Sequence, residues 1–424
     1  MELLLLLLPM IALILLRVPV AYAIGMSAVT FALMQGSNPV AVVQRSVASL
    51  DSFTLLAIPL FILAAEVMNA AGLTRTLMDS VLGWVGHLRG GLAHANVGAS
   101  LIFGGISGAA VADAAGLGRL LIPQMVRHGY SPAYSASITA SSALISPILP
   151  PSIPFIVYGL LAQVSVGALF FAGIVPAVLM AVALGLMVIA TTIRQTELPR
   201  GEFSLRTALT RSLKALPVLL LPVLIIGGLR FGFFTPTEAA AVAVFYSLLC
   251  SLIYVRIGWR ALRTVLLRTA LTSASILIII AFAAHLGWLM SVKGIPAALA
   301  ELLAGVTTNP TILLLIVVAF LLIIGTFMEA LAAMLIVVPV LSPAVTQLGI
   351  DPIHFGVVVV FTLMLGLLTP PVGLVLYVVG DTAGIDAIQV AKANTPFFLA
   401  LLGVLMLVVF IPALSLWLPT SSFG

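Results

Sequence analysis

Two stretches of the chain place hydroxyl side chains beside prolines that an α-helix cannot run through. The first, SSALISPILPPSIP, spans residues 141–154, and the second, LGLLTPPVG, spans residues 365–373. Proline has no amide donor and clashes with the preceding turn, so each helix must break and leave backbone groups unpaired. Unpaired carbonyls suit a cation, and unpaired amides suit a carboxylate. Both stretches are therefore candidate sites for ions and small anions.

Hydroxyl groups cluster around both breaks. The candidates in the first region are Ser107, Ser141, Ser142, Ser146 and Ser152, and those in the second are Thr326 and Thr369. Hard oxygen ligands of this kind favour sodium over softer metals. The alternative for each residue is that its hydroxyl bonds its own helix backbone. Clustering at both breaks favours the ion sites.

Ionisable residues occur in two glycine-containing segments that precede the breaks. Asp113 lies in GGISGAAVADAAGLG, and Glu329 lies in GTFMEALAAM. A charged group within an apolar segment is costly, so each is a functional candidate, although each could instead cap a half-helix. Arg119 could attract an anion, but we favour snorkelling toward the cytoplasmic edge. Glu66, Asn69 and His285 are weaker signals, and we assign no role to His285.

The composition places all of these residues in a membrane protein. Of 424 residues, 62% are hydrophobic and 7% are charged, against about 25% charged in soluble domains. The apolar runs are continuous rather than alternating, which predicts an all-α polytopic protein and excludes a β-barrel. The net charge of +5 resides in short loops and forms no stripe, so we expect no nucleic-acid partner. With one cysteine, Cys250, and no enzyme motif, we predict that the chain is not an enzyme and holds no organic cofactor.

The apolar segments define the predicted topology. They fall at 2–16, 19–35, 53–71, 92–126, 134–162, 165–193, 215–232, 237–255, 268–291, 310–345, 354–379 and 395–418. The start of the chain resembles a secretory signal, but Glu2 occupies its positive region, so we interpret it as two short spans hinged at 17–19. Two basic loops are predicted to be cytoplasmic. Their basic residues are Arg194, Arg200, Arg206, Arg211 and Lys214 in the first loop, and Arg256, Arg260, Arg263 and Arg268 in the second.

An internal repeat relates the two regions. An offset of 220 residues converts Gly105, Pro123, Gly129, Pro132, Pro150 and Pro151 into Gly325, Pro343, Gly349, Pro352, Pro370 and Pro371. Each unit is predicted to hold a re-entrant hairpin followed by a broken helix. Because basic residues are expected on the cytoplasmic side, the second unit is predicted to have the opposite orientation in the membrane. Inverted repeats with helices broken at mid-membrane are typical of secondary transporters. The alternative is a pair of packing-driven proline kinks in a structural protein.

This pattern predicts five parts. They are N-terminal scaffold helices at 1–50, a first repeat at 51–163, scaffold helices with basic loops at 164–265, a second repeat at 266–380 and a C-terminal helix at 381–424. Each repeat should contain an arm helix, a hairpin and a broken helix.

The sequence resembles the large membrane subunit of tripartite ATP-independent periplasmic (TRAP) transporters over nearly its whole length. The segments that carry the resemblance are LLAIPLFILAAEVMNAAGL at 55–73, SGAAVADAAGLG at 107–118, GYSPAYSASITASSALISPILPPSIPFIVYG at 129–159 and GIDPIHFGVVVVFTLMLGLLTPPVG at 349–373. The resemblance implies a bacterial inner-membrane importer of small carboxylates, coupled to sodium and working as an elevator. It also implies two partners, a small four-helix-type membrane subunit and a periplasmic substrate-binding protein.

The resemblance further implies roles for individual residues. Sodium would bind at Ser107, Ser146, Leu149 and Pro151, and a second ion at Gly325, Gly366, Thr369 and Val372. Ser107, Ser152 and Glu329 would contact the substrate, and Asp113 is a further substrate-binding candidate. The family usually has aspartate where this chain has Glu329, which leaves the substrate open.

Two other functions compete with this one. A stand-alone sodium symporter of the divalent anion type shares the architecture but needs no binding protein. The other alternative is a membrane enzyme or a structural assembly subunit. An enzyme would need a catalytic constellation, which the sequence does not offer.

Overall fold

The computed structural model is built from helices. It describes residues 9–10, 12–13, 16, 18–34, 39–193, 203–255, 257–307 and 309–423, and within these ranges every regular element is helical. The predicted all-α class is confirmed. The predicted first span, at 2–16, and Arg17 of the predicted hinge fall largely outside these ranges, as do Arg194, Arg200 and Arg256 of the predicted basic loops.

The first half of the chain carries one hairpin and one broken helix. Its helices are α1 (Val20–Met34), α2 (Pro39–Ala48), α3 (Ala57–Ala70), α4 (Leu73–Val85), α5 (Gly91–Ser107), α6 (Ala110–Arg127), α7 (Pro132–Ala143), α8 (Ile153–Ala162) and α9 (Val166–Thr192). Helices α5 and α6 form hairpin 1, whose tip is at 107–110. Helices α7 and α8 are the halves of the first broken helix, and we call residues 144–152 break 1.

The second half repeats this order after two connecting helices. Its helices are α10 (Leu205–Arg230), α11 (Pro236–Tyr254), α12 (Trp259–Val292), α13 (Ile295–Val306), α14 (Pro310–Phe327), α15 (Ala330–Gln347), α16 (Pro352–Gly366), α17 (Leu374–Ala383), α18 (Ala387–Phe410) and α19 (Ala413–Phe423). Helices α14 and α15 form hairpin 2, with its tip at 327–330. Residues 367–373 between α16 and α17 are break 2. The starts of these four helices lie within one residue of the 220-residue offset from their counterparts, while the inverted orientation stays a prediction.

Capping side chains fix where the half-helices begin. Ser131 precedes Pro132 and accepts a hydrogen bond from the Tyr134 amide, while Asp351 precedes Pro352 and accepts from two amides at the start of α16. Proline at the first helical position has no amide to leave unpaired, so cap and proline together set each start.

Eight helices of the described residues are long and apolar enough to cross a membrane. They are Phe53–Ala70, Val166–Thr192, Leu205–Arg230, Pro236–Tyr254, Trp259–Val292, Pro310–Phe327, Ala330–Gln347 and Ala387–Phe410. The half-helices of both broken helices are shorter, at 10 to 15 residues. Such short segments need protein around them at membrane depth, because lipid cannot satisfy the free backbone groups at their ends.

Three local expectations differ from the structure. Arg206, Arg211 and Lys214 lie on the first turns of α10, and Arg260, Arg263 and Arg268 lie on α12, so these basic residues are helical rather than in loops. Helices α4 and α13 were not predicted as separate elements, because their apolar runs are too short for a span. The predicted C-terminal span at 395–418 is two helices, since Pro412 separates α18 from α19.

Small residues let the broken helices pack deep in the fold. Gly173 of α9 lies against the Ile148 carbonyl of break 1, and Gly356 of α16 lies against the Tyr158 ring. The Tyr158 hydroxyl donates a hydrogen bond to the Pro352 carbonyl, 2.7 Å away. Helices in lipid associate by such close packing and by interhelical hydrogen bonds, so the two broken helices are held together directly.

Candidate substrate cavity and ion sites

Residues of both hairpin tips and of both broken helices line one cavity. Its volume is about 920 Å³. Hairpin 1 contributes Ser107 and Gly108, hairpin 2 contributes Glu329, and the broken helices contribute Pro147 and Leu367. Faces of α3 and α12 close the remaining sides. A cavity of this size accommodates a small organic acid with its water.

The hairpin tips sit directly on the breaks. At hairpin 1, Gly108 has a φ of +61°, and a Cβ there would collide with the Pro151 carbonyl oxygen. At hairpin 2, a Cβ on Gly366 would lie 2.5 Å from Gly325. Glycine is the residue that tolerates both the left-handed conformation and the close backbone approach. The predicted pairs of hairpin and break are therefore brought together in both halves.

Ser107 is the predicted site residue with a free hydroxyl at the cavity. It is the last residue of α5, it is 3% exposed, and its Oγ has no hydrogen-bond partner in the described residues. An unpaired buried hydroxyl is unfavourable, so this atom is available to an ion or a substrate. Ser107 is part of the tip of hairpin 1 and lines the cavity.

Glu329 both caps a helix and lines the cavity. It is the N-cap of α15, and its Oε2 accepts a hydrogen bond from the Ala332 amide at 3.1 Å. The capping alternative is thus observed, and one carboxylate oxygen remains for other contacts. The side chain is half-buried and places its carboxyl group at the tip of hairpin 2.

Asp113 lies behind the cavity rather than on its surface. It is fully buried in the first turn of α6, and the Ser146 hydroxyl donates a hydrogen bond to its Oδ2 at 2.6 Å. Its Oδ1 has no partner in the described residues. Asp113 therefore joins hairpin 1 to break 1 through Ser146, a residue predicted to bind sodium.

Two other predicted hydroxyl residues bond their own backbone. Ser152 caps α8, donating to the Pro147 carbonyl at 2.5 Å and accepting from the Phe155 amide. Thr369 donates to the Leu365 carbonyl at 3.2 Å. Neither residue lines the cavity, and their predicted roles in substrate and sodium binding stay predictions.

The two breaks differ in burial. Residues 144–159, which include the predicted carbonyl ligands Leu149 and Pro151, are all buried. Residues 370–372 of break 2 are exposed, with Val372 at 42%, although the Val372 amide donates to the Thr326 carbonyl of hairpin 2 at 3.2 Å. Break 1 is enclosed by protein, whereas break 2 presents its prolines at the surface.

The structure adds four charged residues and one amide residue that the sequence did not assign to a site. Glu66 and Asn69 of α3, Arg75 of α4, Arg119 of α6 and Arg268 of α12 all line the cavity. The sequence favours snorkelling for Arg119 and predicts a basic loop around Arg268, and neither pattern indicates a cavity residue. Their positions on facing helices could not be recognised from single segments, because the arrangement of α3, α6 and α12 brings them together.

Helix arrangement and cavity together define a polytopic membrane transporter. The crystal structure of the YdaH transporter from Alcanivorax borkumensis is similar to this fold, with a TM-score of 0.65 over 88% of each chain at 18% sequence identity. At that identity the likeness concerns the fold alone.

Sequence comparison then identifies the family. The sequence model described as "Tripartite ATP-independent periplasmic transporter, DctM component" matches residues 7–414. The sialic acid TRAP transporter large permease protein SiaM of Vibrio cholerae is 37% identical, covering 96% of each chain. The C4-dicarboxylate TRAP transporter large permease protein DctM of Pseudomonas aeruginosa is 40% identical, covering 87% of each chain. The chain belongs to the large permease family of TRAP transporters and is a multi-pass protein of the inner membrane.

Proposed function

We propose that the chain imports a small carboxylate by sodium-coupled secondary transport, using substrate delivered by a periplasmic binding protein. The observation that carries this proposal is the single cavity in which both hairpin tips meet both broken helices. Family membership supports a TRAP permease, and two relatives are named for sialic acid and C4-dicarboxylates, both of which are carboxylates.

Sodium coupling is supported by the oxygen atoms at break 1. The unpaired Ser107 hydroxyl lies at the tip of hairpin 1, which contacts break 1. Break 1 contains the predicted sodium ligands Ser146, Leu149 and Pro151. Sodium prefers such hard oxygen ligands, and the Ser146 hydroxyl is held in place by its hydrogen bond to the buried Asp113 side chain. Ion binding there would hold the hairpin tip on the break and shape the adjoining cavity.

Substrate would lie between the two hairpin tips. The Ile153 amide at the start of α8 and the hydroxyl of Ser107 offer donors to a carboxylate, since Pro154 has no amide and the Phe155 amide is bonded to Ser152. Glu329 would accept hydrogen bonds from substrate hydroxyl or amine groups at the opposite tip. The exact carboxylate depends on these polar groups and on the binding protein.

We further propose an elevator movement, which the position of the cavity supports. The hairpins and broken helices would move as one body against α3 and α12, which form the other wall. A separate small membrane subunit would join the scaffold.

Reconstitution tests the proposal. The purified chain, its small membrane subunit and its binding protein would be placed in liposomes with an inward sodium gradient, and uptake of radiolabelled N-acetylneuraminate and succinate would be measured. Uptake that needs sodium and the binding protein supports the proposal. Sodium-dependent uptake without the binding protein would instead establish the stand-alone divalent anion symporter, which family membership does not favour.

A further inference from the structure

Three arginines from different helices line the cavity. Arg75 begins α4, Arg119 lies midway along α6, and Arg268 lies on the third turn of α12. All three side chains are exposed. They come from three separate helices, so the fold rather than local sequence gathers them.

None of these arginines is neutralised by a partner. Among the described residues, no carboxylate oxygen lies within 4.0 Å of their guanidinium nitrogens, and the bond recorded for Arg119 is donated to the Ala115 carbonyl of its own helix. Glu66 lines the same cavity without pairing with any of them. Three cations thus line the cavity, and none is paired with a carboxylate of the described residues.

Two of the arginines lie at a distance from other cavity residues of their own helices. Arg119 follows Val111, near the tip of hairpin 1, by eight residues, which is about 12 Å of helix. Arg268 precedes Ile279, which also lines the cavity, by eleven residues, or about 16 Å. Arg119 is therefore separated along α6 from the tip of hairpin 1, where Ser107 lies.

We propose that Arg75, Arg119 and Arg268 form an anion vestibule, a second and weaker binding site for the carboxylate on the cytoplasmic side of the transport site. Unpaired cations that line a cleft focus the electrostatic field and raise the local concentration of anions. A carboxylate leaving the hairpin tips would exchange its contacts there for guanidinium groups before it is fully hydrated. The side of the membrane rests on the predicted cytoplasmic position of the loop before α12, and the identity of the anion rests on the proposed function.

The charge of the vestibule can be measured without any substrate. Cys250 is the sole cysteine in the sequence, so Cys250→Ala with Thr272→Cys places one thiol in the cavity, one helical turn from Arg268. The reaction rates of this thiol with anionic 2-sulfonatoethyl and cationic 2-(trimethylammonium)ethyl methanethiosulfonate would be compared, each normalised to free 2-mercaptoethanol. We expect the anionic reagent to be favoured at least threefold.

Charge substitutions identify the source of that preference. Arg268→Gln and Arg119→Gln should each lower the rate ratio about threefold, Arg268→Lys should keep it, and Glu66→Gln should raise it. Arg260→Gln is the matched control, because Arg260 lies two turns away on the same helix and does not line the cavity. A ratio near that of the free thiol, or one that the Arg→Gln variants leave unchanged, would overturn the vestibule.

Transport then tests its role. In liposomes loaded with succinate or N-acetylneuraminate, Arg268→Gln should raise the KM for efflux from the cytoplasmic side at least fivefold, while the sodium concentration for half-maximal uptake is unchanged. An unchanged efflux KM would refute the role in release. Absence of wild-type transport would contradict the proposed function alone, since the labelling ratio would still decide whether the vestibule exists.

Discussion

Ser107 and Glu329 are the residues in which the sequence prediction and the cavity meet most directly. Both lie at hairpin tips, and both line the cavity. Ser107 has an unpaired hydroxyl, whereas one carboxyl oxygen of Glu329 accepts a hydrogen bond from the Ala332 amide. Substitutions at the two positions therefore separate transport chemistry from helix capping.

Ser107→Ala should abolish sodium-dependent uptake while leaving the protein folded. The hydroxyl makes no hydrogen bond within the described residues, so its loss removes a ligand but no structural contact. Uptake in liposomes and thermal unfolding in detergent would be measured together. Ser137→Ala is the control, because that buried hydroxyl bonds the Tyr134 carbonyl of its own helix. Normal uptake by Ser107→Ala would refute the assignment.

Substitutions of Glu329 should divide into two groups. Glu329→Asp keeps a carboxylate that can cap α15, so we expect it to retain uptake with an altered substrate KM. Glu329→Ala loses both functions, and should abolish uptake and lower the unfolding free energy by about 1 kcal/mol. Uptake assays and denaturant unfolding measure the two effects. Equal transport by wild type and Glu329→Ala would contradict the proposed contact.

A hydrogen bond from Ser146 to Asp113 joins break 1 to hairpin 1. Ser146→Ala leaves the buried Asp113 without its recorded donor, and a buried polar group left unpaired costs about 1–3 kcal/mol. We expect lower thermal stability together with a higher sodium concentration for half-maximal uptake. A variant that loses stability but keeps its sodium dependence would confine Ser146 to a structural role.

At the level of elements, the hairpin tip and the helix break form one unit in each half of the chain. Glycine and proline at a fixed spacing predicted a repeated hairpin and broken helix, whereas the pairing of tip and break was implied by the family resemblance. The separate helices α4 and α13 were missed, since neither apolar run is long enough to be recognised as a span. The basic residues of α12 were predicted to lie in a loop, because the apolar part of this 34-residue helix begins only after them.

Gly108→Ala tests whether the close approach of tip and break matters. A Cβ at Gly108 would collide with the Pro151 carbonyl, so we expect the tip to be displaced and uptake to fall at least tenfold. Gly129→Ala is a matched control, because Gly129 also has a positive φ, of +89°, but has nothing within 4 Å of its Cβ position. Both variants bear the left-handed penalty of about 1–2 kcal/mol, and only Gly108→Ala adds the collision. Equal uptake by the two variants would count against a fixed contact between tip and break.

At the level of the whole molecule, the fold class and the family could be predicted from sequence, and the composition of the cavity could not. Apolar segments and the 220-residue offset follow from local residue types. The cavity instead depends on how α3, α6 and α12 pack against one another. Tertiary structure therefore decides that Arg75 and Arg268 line it. The unequal burial of breaks 1 and 2 is likewise invisible in two nearly equivalent Pro-Pro motifs.

The central claim is that this cavity carries a carboxylate together with sodium. Its most direct test is uptake of N-acetylneuraminate and succinate into liposomes that hold the chain with its small subunit, in the presence of the binding protein. We expect uptake of at least one acid with external sodium and none when choline replaces it. Equal uptake in sodium and in choline would contradict the account.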